Sequence, residues 1–477
     1  MRLYQAKHVI ALLIVLSLFV SIYYLSVGRD QSDQEREGSH LGEGTKLSYQ
    51  DRIDSPGNHD LNHHGEFGRT PEKLSREIII TPSEVRRAKN KQHLNDVLAF
   101  PSRLAEFNFD ACDMSTCFDL TLCNSSDTLR IHIVASTRKG DESPLNISGE
   151  SNIIHERILN LLRSSKYYEP DPKKACLFVP EDDTIDRDPL STSFRQSSID
   201  IFRPEHRFGM NHLLFNLYSG TWPDYKENDF AGLKIGAAIL AKASNSLTYH
   251  RDRFDISIPL FSFLHPITDR LIVNKTNRRY TIKQDDNANH VGSKNKTFFL
   301  TFKGKRYVIG TGSETRNSLY HLNNQRDVIM LTTCRHGKKW REINDARCLE
   351  EDSSYEQYDF VELMKESIFC LTPRGRRLGS FRFLEALNHT CIPVVLGDGW
   401  VWPFDELIDW TTAAIQFPES EILLVPDTLR DFDSQKIKAM QLKCQDLYQR
   451  YFASINKIVM TTIEIIEMRI KKALGKG

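Results

Sequence analysis

Short apolar runs closed by turn residues recur along this chain and alternate with amphipathic stretches, and that alternation constrains the fold more than any other feature. LRIHIVA (129–135), ACLFVP (175–180) and FDISIP (254–259) lie in the first half. TFFLTF (297–302), DVIMLT (327–332), SIFCL (367–371) and IPVVL (392–396) lie in the second. Ile153–Leu162, Leu213–Tyr218 and Ile235–Ala243 read as helices, and Ser434–Lys471 as one or two long amphipathic helices. Strands interleaved with helices form parallel sheets, which predicts an α/β chain with one sheet in each half. Two such lobes enclose a cleft at the carboxyl ends of their strands, where open parallel sheets bind ligands.

The 63 basic and 63 acidic side chains balance, which argues against a generic nucleic-acid binder and makes any attraction for anions local. Val9 to Val27 is uncharged and spans about 28 Å as a helix. Arg2 and Lys7 precede it, and it ends in Tyr23, Tyr24 and Leu25 rather than in a small-residue cleavage site. The expectation is an uncleaved single-pass anchor with the body in the lumen. Residues 28–104 are polar and read as a stem, with one helical stretch at 82–98. The expected organisation is a cytoplasmic tail (1–8), anchor (9–27), stem (28–104), acceptor-side lobe (105–290), nucleotide-sugar lobe (291–430) and closing helices (431–477). A polar connection is expected near 269–296. Sequons at Asn124, Asn146, Asn274, Asn295 and Asn388 fit secretory passage. Eight of the nine cysteines form local groups, Cys112, Cys117 and Cys123; Cys176; Cys334 and Cys348; Cys370 and Cys391. An oxidising lumen permits disulfides, and no tight C-x₂-C pair points to metal.

CLTPRGRRLGSFRFLEAL (370–387) concentrates Arg374, Arg376, Arg377 and Arg382 between a strand-like and a helix-like run. Ser380 is an N-cap for a helix from Phe381 to about His389, and Gly379 permits close backbone approach. Guanidinium groups at a strand's carboxyl end, facing a helix N-terminus, suit a pyrophosphate. Arg382, Glu385 and His389 share one helix face, which places Glu385 to accept from ribose hydroxyls. The site predicted is for a nucleotide. The competing reading is a structural salt-bridge cluster.

Four stretches carry a resemblance: NHLLFNLYSGTWPDY (211–225), FKGKRYVIGTGSETRNSLYH (302–321), LTTCRHGKKW (331–340) and PRGRRLGSFRFLEAL (373–387). They resemble the exostosin family, glycosyltransferase family 47, over about residues 105–470. The resemblance implies a GT-B architecture of two Rossmann-like lobes facing a cleft, in an anchored protein of the endoplasmic reticulum and Golgi membrane that builds heparan sulfate. It implies β1,4-glucuronosyl transfer from UDP-glucuronate. The copolymerases of the family continue into an α-N-acetylglucosaminyltransferase domain, and this chain stops at Gly477. The expectation is a hetero-oligomer with an exostosin-family subunit that supplies that activity.

By resemblance, UDP contacts fall on Lys303, Lys305, Tyr307, Arg316, His336, Tyr355, Phe360, Arg382 and Glu385, beside Arg374 and Arg376 from the cluster itself. Tyr355 or Phe360 would stack on uracil. Local grouping and the family pattern together pair Cys112–Cys117, Cys123–Cys176, Cys334–Cys348 and Cys370–Cys391, leaving Cys444 free. Forming a β bond from an α-linked donor inverts the anomeric carbon and requires a base on the acceptor side. Asp186, Asp188 and His212 are the candidates. Asp186-Arg187-Asp188 also spells Asp-x-Asp, but so does Asp431-Phe432-Asp433. A basic second lobe can neutralise departing UDP, so no metal and no other cofactor is expected. A non-catalytic partner of an active exostosin subunit is the alternative reading, while a membrane-tethered lectin is disfavoured by the guanidinium-rich site.

Overall fold

The structure, a computed structural model, describes residues 108–123, 128–135, 150–195, 201, 204–262, 265, 296–336, 342 and 345–475. The expected anchor, the stem with its helix at 82–98, nearly all of the 269–296 connection and the sequons at Asn124, Asn146, Asn274 and Asn295 lie outside these residues. Among the described residues, no helix is long and apolar enough to cross a membrane.

The first lobe is built on short parallel strands. Strand β1 (Ile131–Val134) pairs with β2 (Leu177–Pro180), placing Ile131 opposite Leu177. Strand β3 (Leu213–Asn216) pairs with β4 (Ile239–Lys242), and β4 pairs with β5 (Ile256–Ser257). A bridge between Phe178 and His212 joins the two groups, giving the order β1-β2-β3-β4-β5. Helix α1 (Glu150–Arg163) buries Ile154, Ile158 and Leu162 at helical spacing.

Strands β3 and β4 correct the sequence reading, which made helices of 213–218 and 235–243. Every residue of both strands is buried. Burial on both faces removes the polar alternation that marks a strand, and a run this short fits either periodicity.

The second lobe contains β6 (Phe298–Lys305), β7 (Val328–Thr333), β8 (Ser367–Pro373), β9 (Ile392–Leu396) and β10 (Ile415–Phe417). Their order, β10-β9-β8-β6-β7, is all parallel. Numbered within the lobe this is 2-1-3-4-5, a doubly wound order whose switch point lies between β6 and β8. Helices α2 (Ser313–Ser318), α3 (Arg347–Tyr355), α4 (Phe360–Lys365) and α5 (Phe381–Asn388) lie along the chain between β6 and β9. After β10 come α6 (Val425–Arg430), α7 (Ser434–Leu447) and α8 (Ile455–Ala473). Helix α8 returns to the first lobe. The buried Arg469 donates to the carbonyls of Phe254 (2.5 Å) and Asp255 (2.8 Å) and pairs with Glu406.

All four expected disulfides are present, and Cys444 is buried and free. Cys370–Cys391 ties β8 to the residue preceding β9.

The lobes meet along β4, β5 and the segments after β8 and β9. Val401 N donates to Asn245 O at 2.9 Å and Phe404 N to Ser257 O at 2.9 Å. Gly379 N donates to Ser244 Oγ at 2.9 Å, and a Cβ on Gly379 would stand 2.6 Å from that oxygen. The close approach expected at Gly379 is therefore the contact between the lobes. Gly379→Ala is expected to destabilise the chain by about 1–3 kcal/mol, the cost of overpacking a filled site. Urea unfolding checks this, and adding Ser244→Ala should recover part of the loss.

Candidate functional site

At the switch point β6 ends in Lys303-Gly304-Lys305 and β8 in Pro373, so two parallel strands stop side by side and leave carbonyls without ladder partners. Arg316, from α2, fills that role. Its guanidinium donates to Lys305 O (2.6 Å), Arg374 O (2.8 Å) and Pro373 O (3.3 Å). Burial pulls its pKa down. Tyr307 lies against two cations, 4.8 Å from Arg316 and 4.2 Å from Arg376. His336 meets the Tyr307 ring edge-on at 5.4 Å, and its Nε2 lies 2.5 Å from Arg306 O. Burial lowers the His336 pKa, which favours the neutral ring at neutral pH.

A second group adjoins the first. Arg382 Nε donates to Lys303 O at 2.8 Å, its guanidinium lies 3.9 Å from the Phe360 ring centre, and it pairs with Glu385 one turn along α5. Lys303 Nζ donates to Tyr358 O at 2.5 Å and lies 4.2 Å from the Tyr355 ring centre. Burial lowers the Lys303 pKa. Ser380 caps α5 by accepting from Arg382 N, as its sequence position requires. Lys303, Lys305, Tyr307, Arg316, His336, Tyr355, Phe360, Arg374, Arg376, Arg382 and Glu385 thus all gather about the carboxyl ends of β6 and β8.

The guanidinium groups of the loop are not all free for an anion. Arg376 donates to Ile309 O (2.6 Å) and Thr311 O (2.9 Å). Arg374 faces Glu419 at 3.8 Å. Arg377 leaves the second lobe altogether, donating to Ser219 O (2.5 Å), Gly220 O (2.5 Å) and the Asp188 carboxylate (2.9 Å). Lys305 is exposed and has no side-chain partner among the described residues, so it is the cation most available to a phosphate.

The three base candidates are parted. Asp188 reaches the lobe seam, where it also accepts from Thr221 Oγ1 at 2.5 Å. Asp186 is buried and accepts from the hydroxyls of Ser191 (2.6 Å) and Ser193 (2.8 Å), so it organises its own loop. His212 precedes β3, at the edge opposite the cleft. It is buried, with Nδ1 2.9 Å from Met210 O, and burial drops its pKa to about 4. The structure does not bring His212 to the residues gathered about β6 and β8. Among the described residues, no group of three or more His, Cys, Asp or Glu side chains is placed to hold a metal ion.

Arg306 escaped the sequence reading. It is 1% exposed and bonds Glu351 (2.6 Å), Asp345 (2.9 Å) and Asn317 (3.0 Å), with Cys334 Sγ at 3.1 Å. A signal existed: Arg306 directly follows Lys305, where β6 ends, so the next side chain along the chain points away from that of Lys305.

Residues 112–432 match the exostosin GT47 domain model. The chain is 47% identical to Exostosin-1 of Drosophila melanogaster over 364 residues, covering 75% of this chain and 45% of that protein. It is 44% identical to Exostosin-1 of Bos taurus over 368 residues, covering 77% and 46%. The chain thus spans about half the length of the curated relatives it matches. Among solved structures, an S. aureus MnaA–UDP co-structure aligns over 73% of this chain and 98% of that one, at 14% identity and a TM-score of 0.32, too distant a likeness to carry an argument.

Removing Arg306 would empty the buried end of this network, leaving Glu351 only the half-buried Arg347 at 2.9 Å and taking the ion pair from Asp345. Arg306→Ala is expected to cost about 3–5 kcal/mol, while Lys305→Ala on the opposite face should stay within about 0.5 kcal/mol of wild type. Chemical denaturation of the two variants side by side checks the assignment.

Proposed function

The chain belongs to the exostosin GT47 family, and from that premise we propose that it is an inverting glycosyltransferase of GT-B type. It would transfer β1,4-glucuronate from UDP-glucuronate to a heparan sulfate chain, anchored in the endoplasmic reticulum and Golgi membrane. It would work in a hetero-oligomer with a related N-acetylglucosaminyltransferase. The observation that carries this reading is the coincidence of the β6/β8 switch point with the exposed Lys305, the Arg382–Glu385 pair and the N-terminus of α5.

In this reading the donor diphosphate faces Lys305 and the free amides of α5, and Glu385 accepts from the ribose. An acceptor hydroxyl attacks the anomeric carbon, the bond to UDP breaks, and the hydroxyl proton passes to a first-lobe base. Lys305 and the helix N-terminus offset the charge that develops on the departing diphosphate. Asp188 is the base candidate at the seam. Its pairing with Arg377 also favours a second reading, a non-catalytic exostosin partner, because an engaged carboxylate is a poor proton acceptor.

The purified chain, alone and with a co-expressed exostosin-family subunit, is given UDP-glucuronate and an N-acetylglucosamine-ended acceptor. Transfer of one glucuronate by the chain alone is expected. Lys305→Ala and Arg382→Ala should each lower kcat/KM about ten- to a hundredfold, since a charged phosphate contact contributes about 1.5–3 kcal/mol. Donor binding without transfer in either preparation would establish the non-catalytic reading instead. No donor binding at all would remove both.

A further inference from the structure

The stretch Ser219–Tyr225 has no role in the reading above, yet it is held more firmly than a surface loop requires. It leaves the carboxyl end of β3 and lies against the second lobe. Arg377 grips its first two carbonyls and lies 5.0 Å from the Tyr225 ring centre. Thr311 Oγ1 reaches Asp224 O at 3.5 Å. Gly220 turns the chain at φ +68°, where a Cβ would stand 2.4 Å from Lys226 O, so the turn admits no other residue without strain.

This firmly held segment presents Trp222, whose side chain is 46% exposed. The other described tryptophans, Trp400, Trp402 and Trp410, are buried or half-buried. The indole is backed by the donor-side loops. Arg376 lies 5.8 Å from its centre, and Gly310 comes so close that a Cβ there would stand 3.2 Å from the ring. The indole N–H has no partner among the described residues. Arg376 also lies 4.2 Å from Tyr307, in the cluster at the end of β6. Trp222 is therefore an immobilised aromatic face with an unused donor, standing where the first lobe meets the donor-side loops.

We infer that Trp222 is the stacking platform for the terminal pyranose of the acceptor saccharide. The inference rests on the reading of the chain as a sugar transferase and adds the residue that recognises the acceptor. The C–H face of a pyranose buries apolar area against an indole, and the ring hydroxyls accept from its N–H. A platform fixed to the first lobe but braced by Arg376 and Arg377 of the donor-side loop would set the acceptor's distance from the donor. Arg376 and Arg377 are its positioning residues.

The test measures binding and turnover separately in the full-length protein. An N-acetylglucosamine-ended heparosan oligosaccharide is titrated calorimetrically against wild type, Trp222→Phe and Trp222→Leu, and donor and acceptor KM are determined for each. Trp222→Leu should weaken oligosaccharide binding and raise acceptor KM at least about tenfold, with donor KM within about twofold. Trp222→Phe, which keeps an aromatic face, should stay within about threefold of wild type. Equal effects on donor and acceptor KM, unchanged oligosaccharide binding in Trp222→Leu, or a change confined to oligomeric state would overturn the inference. A wild type that binds the oligosaccharide through Trp222 yet transfers nothing keeps the platform and removes the transferase reading.

Discussion

One side chain holds the carboxyl ends of β6 and β8 at a fixed separation. Arg316 takes the terminal carbonyls of both strands, Lys305 O and Pro373 O, together with Arg374 O. Its position decides the rest. Tyr307 lies against it, Arg376 lies against the same ring, and Lys305 is exposed to solvent. Replacing a guanidinium with an ammonium there would keep the charge and lose the planar fork that reaches several carbonyls at once.

Beneath that edge the frame is stiff for independent reasons. Arg306 packs against the Cys334–Cys348 disulfide and neutralises two carboxylates, while Cys370–Cys391 fixes β8 beside the start of β9. The loop between β8 and α5 is thereby anchored at both ends. Its arginines divide: Arg374 faces Glu419, Arg376 holds the carbonyls of Ile309 and Thr311, and Arg377 crosses to the other lobe. A cluster that reads as a single anion cradle also joins the two lobes.

Legibility in the sequence followed burial pattern. The second lobe's first four strands and the Ser380 cap were readable because turn residues and a polar N-cap bracket each apolar run. Strands β3 and β4 were not, since a run such as LLFN buried on both faces carries neither helical nor strand periodicity. Strand β10 is only Ile415–Phe417 and left no signal. In the site, the residues named from the sequence lie around β6 and β8, but side-chain direction was hidden. Nothing in PRGRRLG tells Arg377, which crosses to Asp188, from Arg374, which stays. His212 looked chemical beside Asn211, and only the strand's direction shows that it stands at the wrong edge.

The central claim is that the nucleotide's diphosphate is held at the gap between β6 and β8. A structure of the protein with UDP-glucuronate tests it most directly. Phosphate oxygens are expected about 2.7–3.2 Å from Lys305 Nζ and from the first amides of α5. A diphosphate lodged instead at the carboxyl ends of the first lobe's strands, with Lys305 still in solvent, would contradict it.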